Sequence, residues 1–379
     1  MKRYLLTPGP TPVPPEVLAV LSEPMIGHRT TEYRAVLGEV LERLQQVFRT
    51  SDDVVLMTAS GTAAMESAVA NTCSPGDRVV VVSAGNFGER WVSMTTAYGL
   101  DADVIRYPWG ETPSADHLAA RLSELGGAQA VFLTHSETST GVVADVESLA
   151  AAAREAGALS VVDAISSLGA VPLETEEWGI DVVATGSQKA LMTPPGLAMV
   201  SVSQAAADAT SISPRFYLDW ERYRKAQAKP DAAFTPAVSL VIALNVALGM
   251  ILDTGLDETF DRHVRLGRAC RAGAKAMGLE LFSPDEDRSC VVTAIRMPDG
   301  VDGQEIVATV RSQMGVTLAG GQGELRGKIV RIGHIGYVDI FDVVTGLAAL
   351  ELALAEAGAD IERGAGPGRA LETFEHTRV

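Results

Sequence analysis

The residue best suited to covalent chemistry is Lys189. It follows an apolar run at 181–186 and precedes the turn Pro194-Pro195-Gly196. An amine held in a partly desolvated cleft loses basicity and becomes a nucleophile. The ordinary alternative is a lysine that snorkels to solvent. A carboxylate, Asp163, ends another apolar run at 159–162. Buried there it needs a partner, because an unpaired buried charge is costly; alternatively it caps the next turn. The string Ala59-Ser60-Gly61-Thr62-Ala63 joins a strand-like run to a helical pattern. Free N–H groups at such a helix start, with the Ser60 and Thr62 hydroxyls, make a cup for an anion such as phosphate. The competing reading is a plain N-capped helix. Phe87, within Gly85-Asn86-Phe87-Gly88, either stacks on a flat ring or fills the core. Ser136-Glu137-Thr138-Ser139-Thr140-Gly141 gathers hydroxyls that hold a ligand or form a polar turn.

Each of these positions follows a short apolar run, so the runs must place them. The segments 54–58, 78–83, 102–107, 130–135, 159–164, 181–186 and 197–203 are strand candidates. Several are continuous Val/Leu/Ile runs, the pattern of strands buried on both faces of a mostly parallel sheet. Helical patterns at 62–71, 87–98, 115–124 and 146–156 lie between them, the last bracketed by Asp145 and Gly157. This alternation predicts a doubly wound α/β domain, whose sites lie beyond the carboxyl ends of the strands. From about residue 254 the texture changes. Helices at 257–276, 302–314 and 339–357 alternate with strands at 290–297 and 329–334, which predicts a smaller α+β unit. The expected division is an extended arm at 1–20, a large domain at 21–253, a small domain at 254–362 and a poorly ordered tail at 363–379.

Composition narrows the function. The chain has 379 residues, 47% of them apolar and 21% charged, the balance of a folded protein with a sizeable core. A net charge of −17 argues against nucleic acid or anionic membrane as a partner. The three cysteines, Cys73, Cys270 and Cys290, form neither a disulfide framework nor a metal-ligand spacing, so no metal is expected. Five prolines at 8–15 leave no apolar stretch for a secretory signal, which points to the cytoplasm. The uncharged segment 232–252 reads as a buried helix or subunit interface rather than a membrane span. A dinucleotide fingerprint fails, since Gly364-Ala365-Gly366-Pro367-Gly368 has no strand before it. A P-loop fails as well, because Gly327-Lys328 is followed by Ile329 and preceded by Gln322 at the required glycine.

Together, consecutive strand ends supply an anion cup, a ring stacker, a carboxylate and a lysine. Pyridoxal 5′-phosphate needs all four, for its phosphate, flat ring, ring nitrogen and aldehyde. With Thr7-Pro8-Gly9-Pro10, Gly27-His28-Arg29, Phe87-Gly88-Glu89-Arg90, Thr134-His135-Ser136-Glu137, Gly186-Ser187-Gln188-Lys189 and Val330-Arg331-Ile332-Gly333-His334, the chain resembles a class V aminotransferase. The resemblance is to the alanine/serine–glyoxylate (serine–pyruvate) group, over residues 4–360.

It implies the α/β fold of a fold-type I pyridoxal phosphate transferase: a large domain with a mostly parallel seven-stranded sheet, and a smaller C-terminal α+β domain. It implies that Lys189 holds the cofactor's aldehyde and shuttles a proton, and that Asp163 pairs with the ring nitrogen. Phe87 would stack on the ring and Thr138 would bond near its phenolic oxygen. Ser60, Gly61, Thr62 and Gln188 would hold the phosphate, helped by Thr235 from the neighbouring subunit of a homodimer with shared sites. Relatives carry Tyr three residues before that threonine; here it is Ala232. Arg331 would fork onto the substrate carboxylate, a geometry that lysine cannot reproduce. The implied reaction moves an amino group from a small amino acid to glyoxylate or pyruvate by a ping-pong route. An amino-acid lyase, a pyridoxamine–pyruvate type of transamination and a non-catalytic cofactor-binding protein are the alternatives. A cysteine desulfurase would want a cysteine in the loop 319–327, which has none.

Overall fold

The computed structural model describes residues 2–283 and 290–376. Its central sheet contains β1 (Asp53–Met57), β2 (Arg78–Ser83), β3 (Asp101–Arg106), β4 (Ala130–Thr134), β5 (Leu159–Asp163), β6 (Val182–Gly186) and β7 (Ala198–Val202). The seven strands lie in the order β1-β7-β6-β5-β4-β2-β3. β7 runs against both of its neighbours, and every other pair is parallel. The expected α/β architecture with a mostly parallel seven-stranded sheet is therefore present.

The valine runs explain the layers. Successive side chains of a strand point to opposite faces. Val80 and Val82 join Val131, Leu133, Val162 and Val183 in one core, while Val79 and Val81 join Phe132, Val161 and Val182 in the other. Helices cover both faces, so the strands read as continuous apolar runs rather than alternating ones. Among the covering helices, Thr31–Phe48 and Trp220–Gln227 were not among the helical patterns singled out in the sequence. The first is capped by Thr30, whose hydroxyl accepts the Tyr33 N–H at 3.2 Å.

A second, antiparallel sheet holds β8 (Val292–Arg296), β9 (Ala319–Gly320) and β10 (Ile329–Gly333), in the order β8-β10-β9. Val330 and Ile332 face a core with Ile295, Leu347 and Leu350, so Arg331 between them faces the other way.

Both chain ends differ from expectation. The arm is not extended throughout: Tyr4–Leu5 pairs in parallel with Val316–Thr317, Leu6 enters the small core, and Pro15–Val20 is helical. Proline suits a first helical turn because its missing N–H would have no partner there. The tail also departs from the poorly ordered segment expected at 363–379. Ala365–His376 is a helix, with Ala370 fully buried against the small core. Gly366 permits close packing, since a Cβ on it would stand 2.7 Å from Met277 Sδ, and one on Gly273 of the facing helix 2.8 Å from the Gly366 carbonyl oxygen. Pro367 lies in the first turn, where it breaks nothing. Residue 1 of the arm and residues 377–379 of the tail lie outside the described residues.

The uncharged segment 232–252 becomes helix Val238–Thr254 beyond a short lead-in. Its Val241, Leu244, Leu248 and Ile251 pack into the large core, and Ala243 and Ala247 pack on Val17 of the arm helix. Among the described residues no single helix is long and apolar enough to cross a membrane. Val238–Thr254 and Leu256–Ala276 meet that test only as a pair bent by 87°.

Leu6 links the arm to the small core at 1% exposure. Truncating such a side chain removes transfer energy and leaves a cavity. Leu6→Ala is expected to cost about 2–5 kcal/mol, read as a lower urea midpoint. An unchanged midpoint would show that the arm contributes nothing to stability.

Candidate active site

β5 and β6 lie side by side, with Asp163 opposite Ala184. β5 ends on Asp163, and three residues after β6 the chain reaches Lys189 through Ser187 and Gln188. Adjacent strand ends thus bring the acid and the amine to one edge of the sheet. Lys189 is 9% exposed and Asp163 4%. Burial lowers the Lys189 pKa to about 8, opposed by the charge of Asp163 and assisted by Arg331 and Arg90. Burial raises the Asp163 pKa to about 6; the Ile165 N–H, Lys189 and Arg90 oppose this, while Glu137 adds to it. The Ile165 N–H donates to Asp163 Oδ1 at 2.9 Å, so the carboxylate caps the next turn as well as facing the lysine. At pH 7 both groups are charged, and the amine is within about a pH unit of losing its proton.

The arm closes one side of this pair. An ideal Cβ on Gly9 would stand 2.2 Å from Lys189 Cε and 2.6 Å from Nζ, so a side chain there would displace the amine. Thr11 donates its N–H to the Gln188 carbonyl at 3.1 Å and its hydroxyl to the Lys189 carbonyl at 2.9 Å.

Ser60 caps helix Gly61–Thr72 from an extended conformation, and its hydroxyl makes no capping bond. The first N–H groups of that helix have no intrahelical acceptors. Gln188 converges on the same turn: a Cβ on Gly186 would be 2.9 Å from Gln188 Oε1 and 3.3 Å from Gly61 N. The Arg90 guanidinium lies 4.8 Å from the centre of the Phe87 ring and donates to Thr62 Oγ1 at 3.4 Å. Phe87 is half-buried, so it is neither a core aromatic nor a surface one.

The hydroxyl cluster forms the polar turn that was one of its two readings. Ser139 Oγ donates to the Glu137 carboxylate, and Thr140 Oγ1 donates to the Glu137 carbonyl at 3.1 Å. Thr138 Oγ1 is buried with no partner among the described residues, as is Gln188 Oε1. Buried polar atoms are normally satisfied. The unpartnered Thr138 hydroxyl is a donor that a polar ring would complete, and the Gln188 amide, once turned to present its NH2 group, is a donor for an anion at the cup. The residues present therefore fit pyridoxal 5′-phosphate.

Arg331 reaches the same edge from β10. Nη1 donates to the Thr138 carbonyl at 2.7 Å, while Nε and Nη2 donate to the Gly320 carbonyl at 3.0 and 2.7 Å. Two of its five N–H groups remain for a ligand. Burial lowers its pKa to about 10 and Glu137 pulls it back up, so it stays a cation at neutral pH.

The structure thus brings Lys189, Asp163, Thr138, Gln188 and Arg331 together at one edge of the sheet. Ser60, Gly61, Thr62 and Phe87 flank it on the adjoining helix starts. Thr235 is not part of this set within the chain. It is exposed, on the lead-in whose Ala237 N–H donates to Thr58 Oγ1 at 2.8 Å. Sequence reasoning assigned no role to Gly9, Arg90 or Glu137, although all three stand in the quoted motifs. A glycine between prolines and a glutamate at a strand end were the available signals.

The family model described as aminotransferase class-V matches residues 3–327. A relative from Anabaena cylindrica named soluble hydrogenase 42 kDa subunit is 43% identical over 99% of each chain. L-aspartate–glyoxylate aminotransferase of Paracoccus denitrificans is 36% identical, covering 98% of this chain and 96% of its own. The crystal structure of pyridoxamine–pyruvate aminotransferase from Mesorhizobium loti superposes with a TM-score of 0.94 at 30% identity, covering 98% of this chain and 97% of that one.

An ordinary lysine titrates near about 10.4. In the cofactor-free protein, the rate at which an amine-directed reagent labels Lys189 is expected to rise with a midpoint near pH 8. Asp163→Asn removes the negative charge that favours the ammonium, so the midpoint should move further down. A midpoint near that of ordinary lysine would refute the buried, coupled pair.

Proposed function

The chain belongs to the class V aminotransferases, and from that premise we propose that it moves an amino group from a small amino acid such as alanine or serine to glyoxylate or pyruvate. The two half-reactions use the same groups in turn, which is a ping-pong order. This family works with pyridoxal 5′-phosphate. When bound, that cofactor supplies a carbon that accepts an amino group and a ring that draws electrons from the substrate's α-carbon. The observation that carries the reading is the buried Lys189–Asp163 pair, with an amine near pKa 8 and a carboxylate near pKa 6.

In this reading Lys189 takes the proton from the substrate α-carbon and returns it on the far side of the transfer. A base with its pKa near the working pH does this best. Asp163 holds the proton on the ring nitrogen, which a buried carboxylate stabilises. Phe87 gives the ring a flat wall, and the unpartnered Thr138 hydroxyl meets its phenolic oxygen. Ser60, Gly61, Thr62 and Gln188 take the phosphate at the helix start. Arg331, with two N–H groups spare, binds the α-carboxylate of either substrate. The protein is a cytoplasmic homodimer in which Thr235 completes the neighbour's phosphate site.

The aspartate–glyoxylate relative supports a small oxo-acid acceptor. The match to pyridoxamine–pyruvate aminotransferase favours transfer from pyridoxamine as the second reading. The site chemistry is that of a buried amine and a carboxylate, which suits amino-group transfer.

A panel of alanine, serine, glycine, aspartate and pyridoxamine, each against glyoxylate, pyruvate and 2-oxoglutarate, distinguishes these readings. Lys189→Ala should abolish turnover with every pair, and near-normal rates would defeat the role given to it. A hydrogen bond to a charged group is worth about 1.5–3 kcal/mol. Arg331→Ala should therefore raise the amino-acid KM about 10- to 150-fold. An unchanged KM would remove Arg331 from the site.

A further inference from the structure

One buried carboxylate lies outside the scheme above. Glu137 is 3% exposed, on the strand Ser136–Glu137, and has no direct place in the transfer. Its Oε2 accepts the N–H groups of Phe87 at 3.0 Å and Gly88 at 3.1 Å. Its Oε1 accepts the Ser139 N–H at 3.2 Å and the Ser139 hydroxyl. Ser139 Oγ in turn accepts the Asn86 N–H at 3.0 Å, so three hydrogen bonds join the start of helix Asn86–Ala97 to the segment 136–139. The two segments belong to different parts of the site. One carries Phe87. The other carries Thr138, whose hydroxyl is unpartnered and whose carbonyl holds Arg331 Nη1.

We propose that Glu137 is a positioning residue that locks the ring wall and the carboxylate-binding arginine into one rigid unit. This rests on the roles proposed above for Phe87 and Arg331. Geometry makes the carboxylate hard to replace. All four of its bonds are accepted ones, and two face each oxygen. An amide in either orientation would set an N–H group against N–H donors, and a buried donor pair of that kind is costly. Gly85 belongs to the same lock, because a Cβ there would stand 2.4 Å from Glu137 Cγ. Electrostatics points the same way. Glu137 is the negative charge that supports the Arg331 cation and that presses on Asp163.

The test is Glu137→Gln, with Ser139→Ala as a milder variant that loosens the same lock. Two affinities are measured: that of the cofactor-free protein for pyridoxal 5′-phosphate, by fluorescence titration, and the amino-acid KM. Circular dichroism checks the fold. Both affinities should weaken in Glu137→Gln by about tenfold or more, and in Ser139→Ala by less. The cofactor loss should vanish in a Phe87→Ala background and the KM loss in an Arg331→Ala background, because the lock acts through those groups. Additive losses in the double variants, or a loss of only one affinity, would overturn the proposal. If Phe87→Ala and Arg331→Ala themselves change neither affinity, the reading of the site fails and this inference with it. If they act while Glu137→Gln and Ser139→Ala do not, only the lock is refuted.

Discussion

Two acids and two cations lie buried together at one edge of the sheet, and the balance among them governs the site. Asp163, Glu137, Lys189 and Arg331 are each no more than 9% exposed. Burial is the largest influence on all four, and it pushes each toward its neutral form. Opposite charges within the group resist that push. The formal sum is zero, so no isolated charge is left in a poorly solvated place. The outcome is graded rather than uniform. Arg331 remains a firm cation, whereas Lys189 is brought within easy reach of the neutral amine. A solvent-exposed lysine would stay protonated, and a lysine without an acid beside it would be pushed further toward its neutral form. Chemistry at neutral pH needs the intermediate condition.

The topology delivers this balance from distant parts of the chain. In a parallel sheet every carboxyl end opens on the same edge. β4, β5 and β6 are neighbours, so the loop with Glu137, the end with Asp163 and the turn with Lys189 converge without long connections. The fourth charge comes from the small unit. On β10, Val330 and Ile332 enter the small core, which turns Arg331 outward to the Thr138 carbonyl. The alternation of a single strand thus both packs one unit and completes the site of the other.

Legibility followed the range of the cause. The strands of the central sheet announce themselves as valine runs, because burial on both faces is a local demand. Lys189 and Asp163 were readable as strand-end residues for the same reason. Glu137 was not: its acceptors serve N–H groups 49 and 50 positions away, and nothing near it in sequence marks that pairing. Nor was the tail. Gly364, Gly366 and Gly368 read as breakers, but in the fold Gly366 permits close approach to Leu256–Ala276. The arm was half-readable. Its prolines announced an extended path, while its pairing with Val316–Thr317 depends on a strand more than three hundred positions later.

That arm shows why a segment with little structure of its own belongs to the site. Gly9 has φ +148°, a conformation L-residues rarely adopt, and its backbone lies against the Lys189 side chain. Gly333 meets the other part of the strap, where a Cβ would stand 2.4 Å from the Thr7 carbonyl oxygen. On either side of these contacts the Gly333 N–H donates to the Leu6 carbonyl at 2.7 Å, and the Thr11 hydroxyl donates to the Lys189 carbonyl. A short run of backbone therefore bridges the strand carrying Arg331 and the turn carrying Lys189. Through the covalent chain those two residues are 142 positions apart by number (331 − 189); through the strap they are separated by the span from Leu6 to Thr11. On the roles proposed for Arg331 and Lys189, a substrate held by its carboxylate at one end and deprotonated at its α-carbon near the other needs that spacing fixed. Glycine at both contacts is what lets backbone, the least variable part of the chain, set it.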